Sequence, residues 1–356
     1  MNFQLNRAHV ILGTIFLIAF TSQITLWLGV DYVDEDDWQR DSEALISGAT
    51  PNFADDVLVH PGTAILLPTA ALILVGIPSK IALNIIIALY ISICATLVVA
   101  ICRATRPQSL WWIGVAILTI FNPLYSLATA PASVAGAIVP LLIMLVFYLR
   151  NQSVITTKML AITGVCAGVL LANRIDTGLA VCFFSFFYLW YLVGARVWIF
   201  FFIAPLTFVA LDPYIWTAPV EHLGSIAQLI NANVTVTTVE TPGYTGRALS
   251  LAVVAVVLAV LSTLRAQLTS MPRDFVWYIV PMFVVVCTLI SMAAYHPMRY
   301  FFPFSNALEI FLPLLVFDII DRSASAYSER TLSLMRYAFL GSLVVARAVP
   351  ALILIV

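Results

Sequence analysis

Charge is scarce in this chain. Only 10% of its 356 residues are Asp, Glu, Lys or Arg, and the formal net charge is −1, whereas ordinary soluble domains carry about a quarter charged residues. The bases stand singly and form no patch, so the chain offers no nucleic-acid surface. Histidine occurs four times and cysteine five times. Cys94, Cys102, Cys166, Cys182 and Cys287 all lie within or at the edge of apolar runs, without metal-ligand spacing. They are expected to pack as small hydrophobes, and no disulfide framework is implied. Internal repeats and low-complexity tracts are also missing.

Apolar sequence is abundant instead. The chain is 62% hydrophobic with a mean hydropathy of +1.03, more apolar surface than a soluble core can hide, so lipid must form part of its solvent. Apolar runs fall near 8–30, 63–79, 80–102, 108–125, 131–149, 159–172, 177–194, 197–213, 247–264, 275–294, 300–320 and 337–355. The first is too long for a signal-peptide core and lacks a small-x-small cleavage site, so it reads as a retained span. The run at 63–79 is short, contains Pro68 and is bounded by Gly62, Gly76 and Pro78, which suits an interfacial or re-entrant helix.

The distribution of Lys and Arg decides whether 63–79 crosses. If it does not, and the N-terminus is cytoplasmic, then Arg7, Arg103, Arg106, Arg150, Lys158, Arg196, Arg265, Arg273, Arg322, Arg330 and Arg336 are cytoplasmic. Arg40, Lys80, Arg174, Arg247 and Arg299 are then outside, with Arg347 inside the last span. If 63–79 crossed, this eleven-to-five bias would invert. The expected fold is therefore an all-α polytopic membrane protein, one transmembrane domain over residues 1–356 with eleven spanning helices. Residues 31–80 form its first outer loop, with the interfacial helix, and 214–246 form a second outer loop. In the latter, Val220, Leu223, Ile226 and Leu229 or Ile230 recur at helical spacing, predicting a short amphipathic helix on the membrane. The following "VTVTTV" is expected to be extended.

The scarce carboxylates are concentrated. Asp31, Asp34, Glu35, Asp36, Asp37, Asp41, Glu43, Asp55 and Asp56 place nine of the 18 acids within 26 residues. One reading is a solvated loop. The other is a site, in which one carboxylate acts as general base on a hydroxyl or several hold a divalent cation. Four further segments fall on the same outer side. "VHPGT" puts His60 at the start of the interfacial helix, either as a cap or as a substrate contact. "ANRIDTG" sets Arg174 and Asp176 between two apolar runs, either as a pair fixing the bend or with Arg174 as a phosphate ligand. "AYHPMRYFFP" carries His296, Arg299 and Tyr300, either an aromatic belt with a snorkelling arginine or a second phosphate-binding group. "LDPYIW" ends a span with Asp212, which is expected to cap the next turn and is given no catalytic role.

The order of "DEDDW" (34–38), "HPG" (60–62), "NRID" (173–176) and "RYFFP" (299–303) resembles the GT-C superfamily of integral membrane glycosyltransferases. Its members include protein mannosyltransferases and lipid A aminoarabinose transferases. The likeness covers the layout of residues 1–320 but only about 20 residues of motif. It implies transfer of a sugar from a polyprenyl- or dolichyl-phosphate donor to an acceptor hydroxyl on the outer (periplasmic or lumenal) face. It implies a base at Asp34 or its neighbours Glu35, Asp36 and Asp37, a donor phosphate held by Arg299 and Arg174, and substrate contacts from His60, His296, Asp176 and Tyr300. No cofactor is required, and divalent-cation dependence is left open, since relatives differ. The acceptor is expected to be a glycan, a lipid or a small molecule, because the chain shows no large soluble domain after its spans. The "HPG" departs from relatives with a second proline at that place.

Two other functions fit some features. A lipid or polysaccharide transporter or flippase predicts charged residues deep in several spans, yet only Glu309 and Arg347 lie well inside apolar runs. A lipid-linked polysaccharide polymerase or ligase would share the outer arginines and His296. Such enzymes carry their large outer loop late, whereas the acidic loop here follows the first span.

Overall fold

The computed structural model describes residues 7–27, 35–48, 63–105, 111–120, 155–173, 175–225, 227, 316–317, 320–321 and 327–355. Every regular element among them is helical, and no strand occurs among them. In chain order the helices are α1 (Arg7–Trp27), α2 (Glu35–Ser47), α3 (Thr63–Leu74), α4 (Ser79–Thr105) and α5 (Trp111–Ile120). There follow α6 (Thr157–Asn173), α7 (Ile175–Val193), α8 (Trp198–Leu211), α9 (Pro213–Thr217) and α10 (Glu329–Ile355). The expected spans at 131–149, 247–264 and 275–294, most of 300–320, and the extended stretch at "VTVTTV" lie outside the described residues.

Among the described residues, two segments are long and apolar enough to cross a membrane, Ser79–Arg103 and Val181–Leu211. The second is a helical pair, because Gly194 sits at φ +60 in a 3₁₀ turn, Gly194–Val197, between α7 and α8. That left-handed angle is open to glycine at little steric cost. Helix α3 has 12 residues and is about 18 Å long, against a hydrocarbon layer of about 30 Å. It turns back at Gly76 (φ +91) into α4, and the Tyr90 hydroxyl donates to the Ala64 carbonyl at 2.6 Å across this hairpin.

Polarity is distributed inside out relative to a soluble domain. Large apolar side chains face outward along α7 and α8, among them Leu179, Phe183, Phe187, Tyr191, Phe202 and Leu206. Gln23, Asn84, Ser92, Thr163, Asn173 and Ser185 are buried. Hydroxyls in the helices donate to carbonyls four residues back: Ser92 to Ala88, Thr96 to Ser92 and Thr163 to Met159. This is how polar side chains are satisfied where water is absent. Cys94 and Cys102 are buried and Cys166 and Cys182 half-buried, all four as free thiols; Cys287 lies outside the described residues.

Helices meet through small residues, as expected where lipid removes the hydrophobic drive between them. Ala19 and Ala95 join α1 to α4, and Gly114 lets Leu340 of α10 approach α5. The closest approach joins α6 to α8. Gly164 faces Phe200 and Ile203, and Gly168 faces Ala204 and Thr207. Because both series ascend together, α6 and α8 run parallel, and their C-terminal ends, Asn173 and Leu211, lie toward the same end. At the opposite end the Arg196 guanidinium donates to the Ile155 carbonyl at 2.7 Å.

Helix α10 starts two turns before the apolar run expected at 337–355. Its first turns are polar, with Arg336 paired to Asp321 and Glu329, and hydropathy alone does not register such turns.

A methyl at Gly168 would collide with the Ala204 carbonyl oxygen and Thr207. Gly→Ala inside a helix ordinarily stabilises by about 0.5–1 kcal/mol, but overpacking costs about 1–3 kcal/mol and wins here. Gly168→Ala is therefore expected to lower the thermal midpoint in detergent. Gly341→Ala, on the open face of α10 with nothing within 4 Å, is expected to leave it level or raise it.

Candidate functional site at one end of the helices

The acidic segment is a helix rather than a loop from Glu35 onward. Glu35, Asp36 and Asp37 form its first turn, where the helix dipole favours negative charge. Six residues after Glu35, Asp41 turns inward: Asp41 and Ser42 are buried, while Arg40, Glu43 and Ile46 are exposed. Helix α2 packs against α3 and the start of α4, where the Ser79 hydroxyl donates to Gln39 Oε1 at 3.2 Å. Arg40 lies 3.5 Å from Asp41 but is largely in solvent, so this pair adds little stability.

At the end of α8, Asp212 caps α9, with the Tyr214 N–H donating to Asp212 Oδ1 at 3.0 Å. Its second oxygen meets His222 Nε2 at 2.9 Å, and both side chains are fully buried. A carboxylate oxygen accepts, so the imidazole N–H at Nε2 is the donor. The Tyr214 and His222 rings lie 5.5 Å apart. His222 belongs to a helical stretch at 219–225 whose apolar residues Val220 and Leu223 point outward, 78% and 56% exposed, while His222 and Ser225 point in. The expected helix is thus present over these residues, with His222 and Ser225 against the protein and Glu221 exposed beside Val220 and Leu223.

Burial raises the pKa of the Tyr214 phenol above the usual tyrosine range, and the carboxylates of Asp41 and Asp212 raise it further. The phenol therefore keeps its proton at any ordinary pH. This coupling also puts Asp41 of the acidic helix within electrostatic reach of the Asp212–Tyr214–His222 group.

A third connection lies nearby. The Thr63 hydroxyl, directly after "HPG", donates to the Ala172 carbonyl, directly before "NRID", at 2.6 Å. Both Thr63 and Asn173 are buried. The corner between α6 and α7 is tight, since a methyl at Gly178 would come within 2.9 Å of the Leu171 Cα.

Of the sequence-predicted site residues, Glu35, Asp36 and Asp37 are placed in the first turn of α2 and Asp176 in the first turn of α7. Asp34, His60, Arg174, His296, Arg299 and Tyr300 lie outside the described residues. Among the described residues no group of three or more His, Cys, Asp or Glu is arranged to hold a metal ion. Reading the sequence missed Asp41, Tyr214 and His222 as a group and treated Asp212 as a cap alone. A usable signal was present: His222 interrupts the apolar spacing of Val220 and Leu223, ten residues after Asp212 in a chain with four histidines.

Removing one partner of a buried hydrogen bond leaves the other unsatisfied, at a cost of about 1–3 kcal/mol. Asp212→Ala and His222→Ala are each expected to destabilise by about that much. The double variant should be no worse than either single, as read from thermal or denaturant unfolding in detergent. No protein-family model matches the chain, and no curated protein matches it.

Proposed function

We propose that the chain is an integral membrane glycosyltransferase. It moves a sugar from a polyprenyl- or dolichyl-phosphate donor to a hydroxyl of a glycan, lipid or small acceptor. In this reading it is GT-C-like, with eleven spans, a cytoplasmic N-terminus and α3 as the non-crossing helix of the first outer loop. It sits in a bacterial inner membrane or an equivalent membrane and works on the outer face.

The observation that carries the reading is the buried Thr63–Ala172 hydrogen bond, which joins two segments 109 residues apart. It supports a layout in which "HPG" and "NRID" flank one site, with the acidic helix packed on α3 beside them. The parallel run of α6 and α8 agrees with the sidedness that the Lys/Arg bias requires. Asn173 and Asp212 lie toward one end, and Arg196 at the other.

The mechanism follows from charge. The donor's prenyl tail lies among the spans, and its phosphate meets Arg174 and Arg299. Departure of the lipid phosphate builds negative charge, which these cations stabilise without proton transfer. The acceptor hydroxyl attacks from the opposite face of the sugar as Asp34, flanked by Glu35, Asp36 and Asp37, takes its proton. His60, His296, Asp176 and Tyr300 contact the sugar or acceptor.

The direct test supplies purified full-length protein with synthetic short-chain polyprenyl-phosphate hexoses and follows acceptor-dependent release of polyprenyl phosphate. Absence of release across the common hexoses would remove the reading. Asp34→Asn should lower turnover by about 10²-fold or more while polyprenyl-phosphate binding is kept. If Asp36→Asn or Asp37→Asn is inactive instead, the base is that residue.

For the phosphate site, Arg174→Ala and Arg299→Ala should each weaken polyprenyl-phosphate binding, and Arg299→Lys should restore it only in part. A point charge lacks the bidentate guanidinium fork. Full affinity in the double Ala variant would exclude the clamp.

A further inference from the structure

We infer that the buried Asp212–His222 pair is a positioning device for the proposed outer-face reaction, holding Tyr214 and the 219–225 segment in place at the end of α8, which touches the same helix α3 on which the acidic helix α2 packs. For the reaction this rests on the glycosyltransferase reading; for the clamp itself it rests on the geometry alone.

Four observations converge. Both oxygens of Asp212 are engaged, one by the Tyr214 backbone N–H and the other by His222 Nε2, so the pair joins the end of α8, the first turn of α9 and the 219–225 stretch. That stretch turns Val220 and Leu223 outward and puts its histidine inside. An apolar contact of similar volume would hold it as well or better, because a polar group gives up its hydration when it is buried. A polar clamp in that place is therefore not explained by stability. Third, Tyr214 is 3% exposed, and its ring lies beside the His222 imidazole, so its place depends on the pair. Last, α2 turns the Asp41 carboxylate into the protein and packs on α3, which also touches α8, and the Asp41 carboxylate acts on the Tyr214 phenol. Ser79 of α4 holds α2 as well.

Release of the clamp would free Tyr214 and, through α8 and α3, let α2 shift. A displacement of about 1 Å in a reacting group costs on the order of 10²-fold in rate, so a pair that touches no substrate still sets turnover. The pair is thus assigned as two positioning residues, and Asp41 as the carboxylate through which they act on the acidic helix.

The test has two readouts on the full-length protein. The first is maleimide labelling of Ser225→Cys, a position 5% exposed in the folded chain. His222→Leu and Asp212→Leu should each speed this labelling by about tenfold or more through local opening, whereas His222→Gln, which keeps an N–H for Asp212, should not. The second is turnover of synthetic polyprenyl-phosphate hexoses: both Leu variants should lose about tenfold or more in kcat with little change in KM, with His222→Gln close to the parent. Should the Leu variants fail to fold, Asp212→Asn carries the test. It keeps the cap acceptor but sets an amide against Nε2–H, and the same losses are expected. Unchanged labelling overturns the clamp. Faster labelling with unchanged kcat overturns its positioning role. A parent protein that turns over none of the donors, with the labelling pattern intact, removes the glycosyltransferase reading and leaves the clamp standing.

Discussion

Where lipid replaces water, hydrogen-bonding groups gain most from partners within the protein, and several of the contacts between helices in this chain are of that kind. Serine and threonine hydroxyls fold back onto their own helices, as at Ser92, Thr96 and Thr163. Longer polar side chains instead reach the backbone of another element: Tyr90 to Ala64, Thr63 to Ala172, and Arg196 to Ile155. The Thr63–Ala172 bond is buried and has no competing solvent, so it fixes a relative position that a surface hydrogen bond would not. Helix α3, too short to span a bilayer, is held this way between α4 and α6.

The second determinant is close approach. With hydrophobic side chains equally at home in lipid, helices associate through packing, and Gly164 and Gly168 bring α8 directly onto α6. That contact sets the parallel register of the two helices. It therefore decides that Asp212 emerges toward the same end as Asn173 and the Thr63 hydrogen bond.

The acids of the second helix divide by position. Those of the first turn sit where the backbone dipole already favours them, whatever else they do. Asp41 has no such reason to be where it is, because helical geometry turns it inward toward Tyr214. Asp41 and Asp212 both act on the Tyr214 phenol, although 171 residues separate them in the chain.

Composition and periodicity alone determined the all-helical class, the need for lipid, the shortness of the run at 63–79 and the amphipathic stretch after Asp212. Each of these rests on local physics: the transfer of apolar side chains out of water, the φ/ψ needs of Gly76 and Gly194, and a carboxylate capping the turn behind it. Tertiary structure alone decided that Asp41 and Ser42 face inward among other helices while Arg40 and Glu43 do not. It alone paired His222 with Asp212 and bonded Thr63 to Ala172. Those contacts depend on the rotation and register of packed helices. Register is set by glycine-mediated approach between segments far apart in sequence, and no local pattern in a single sequence encodes it.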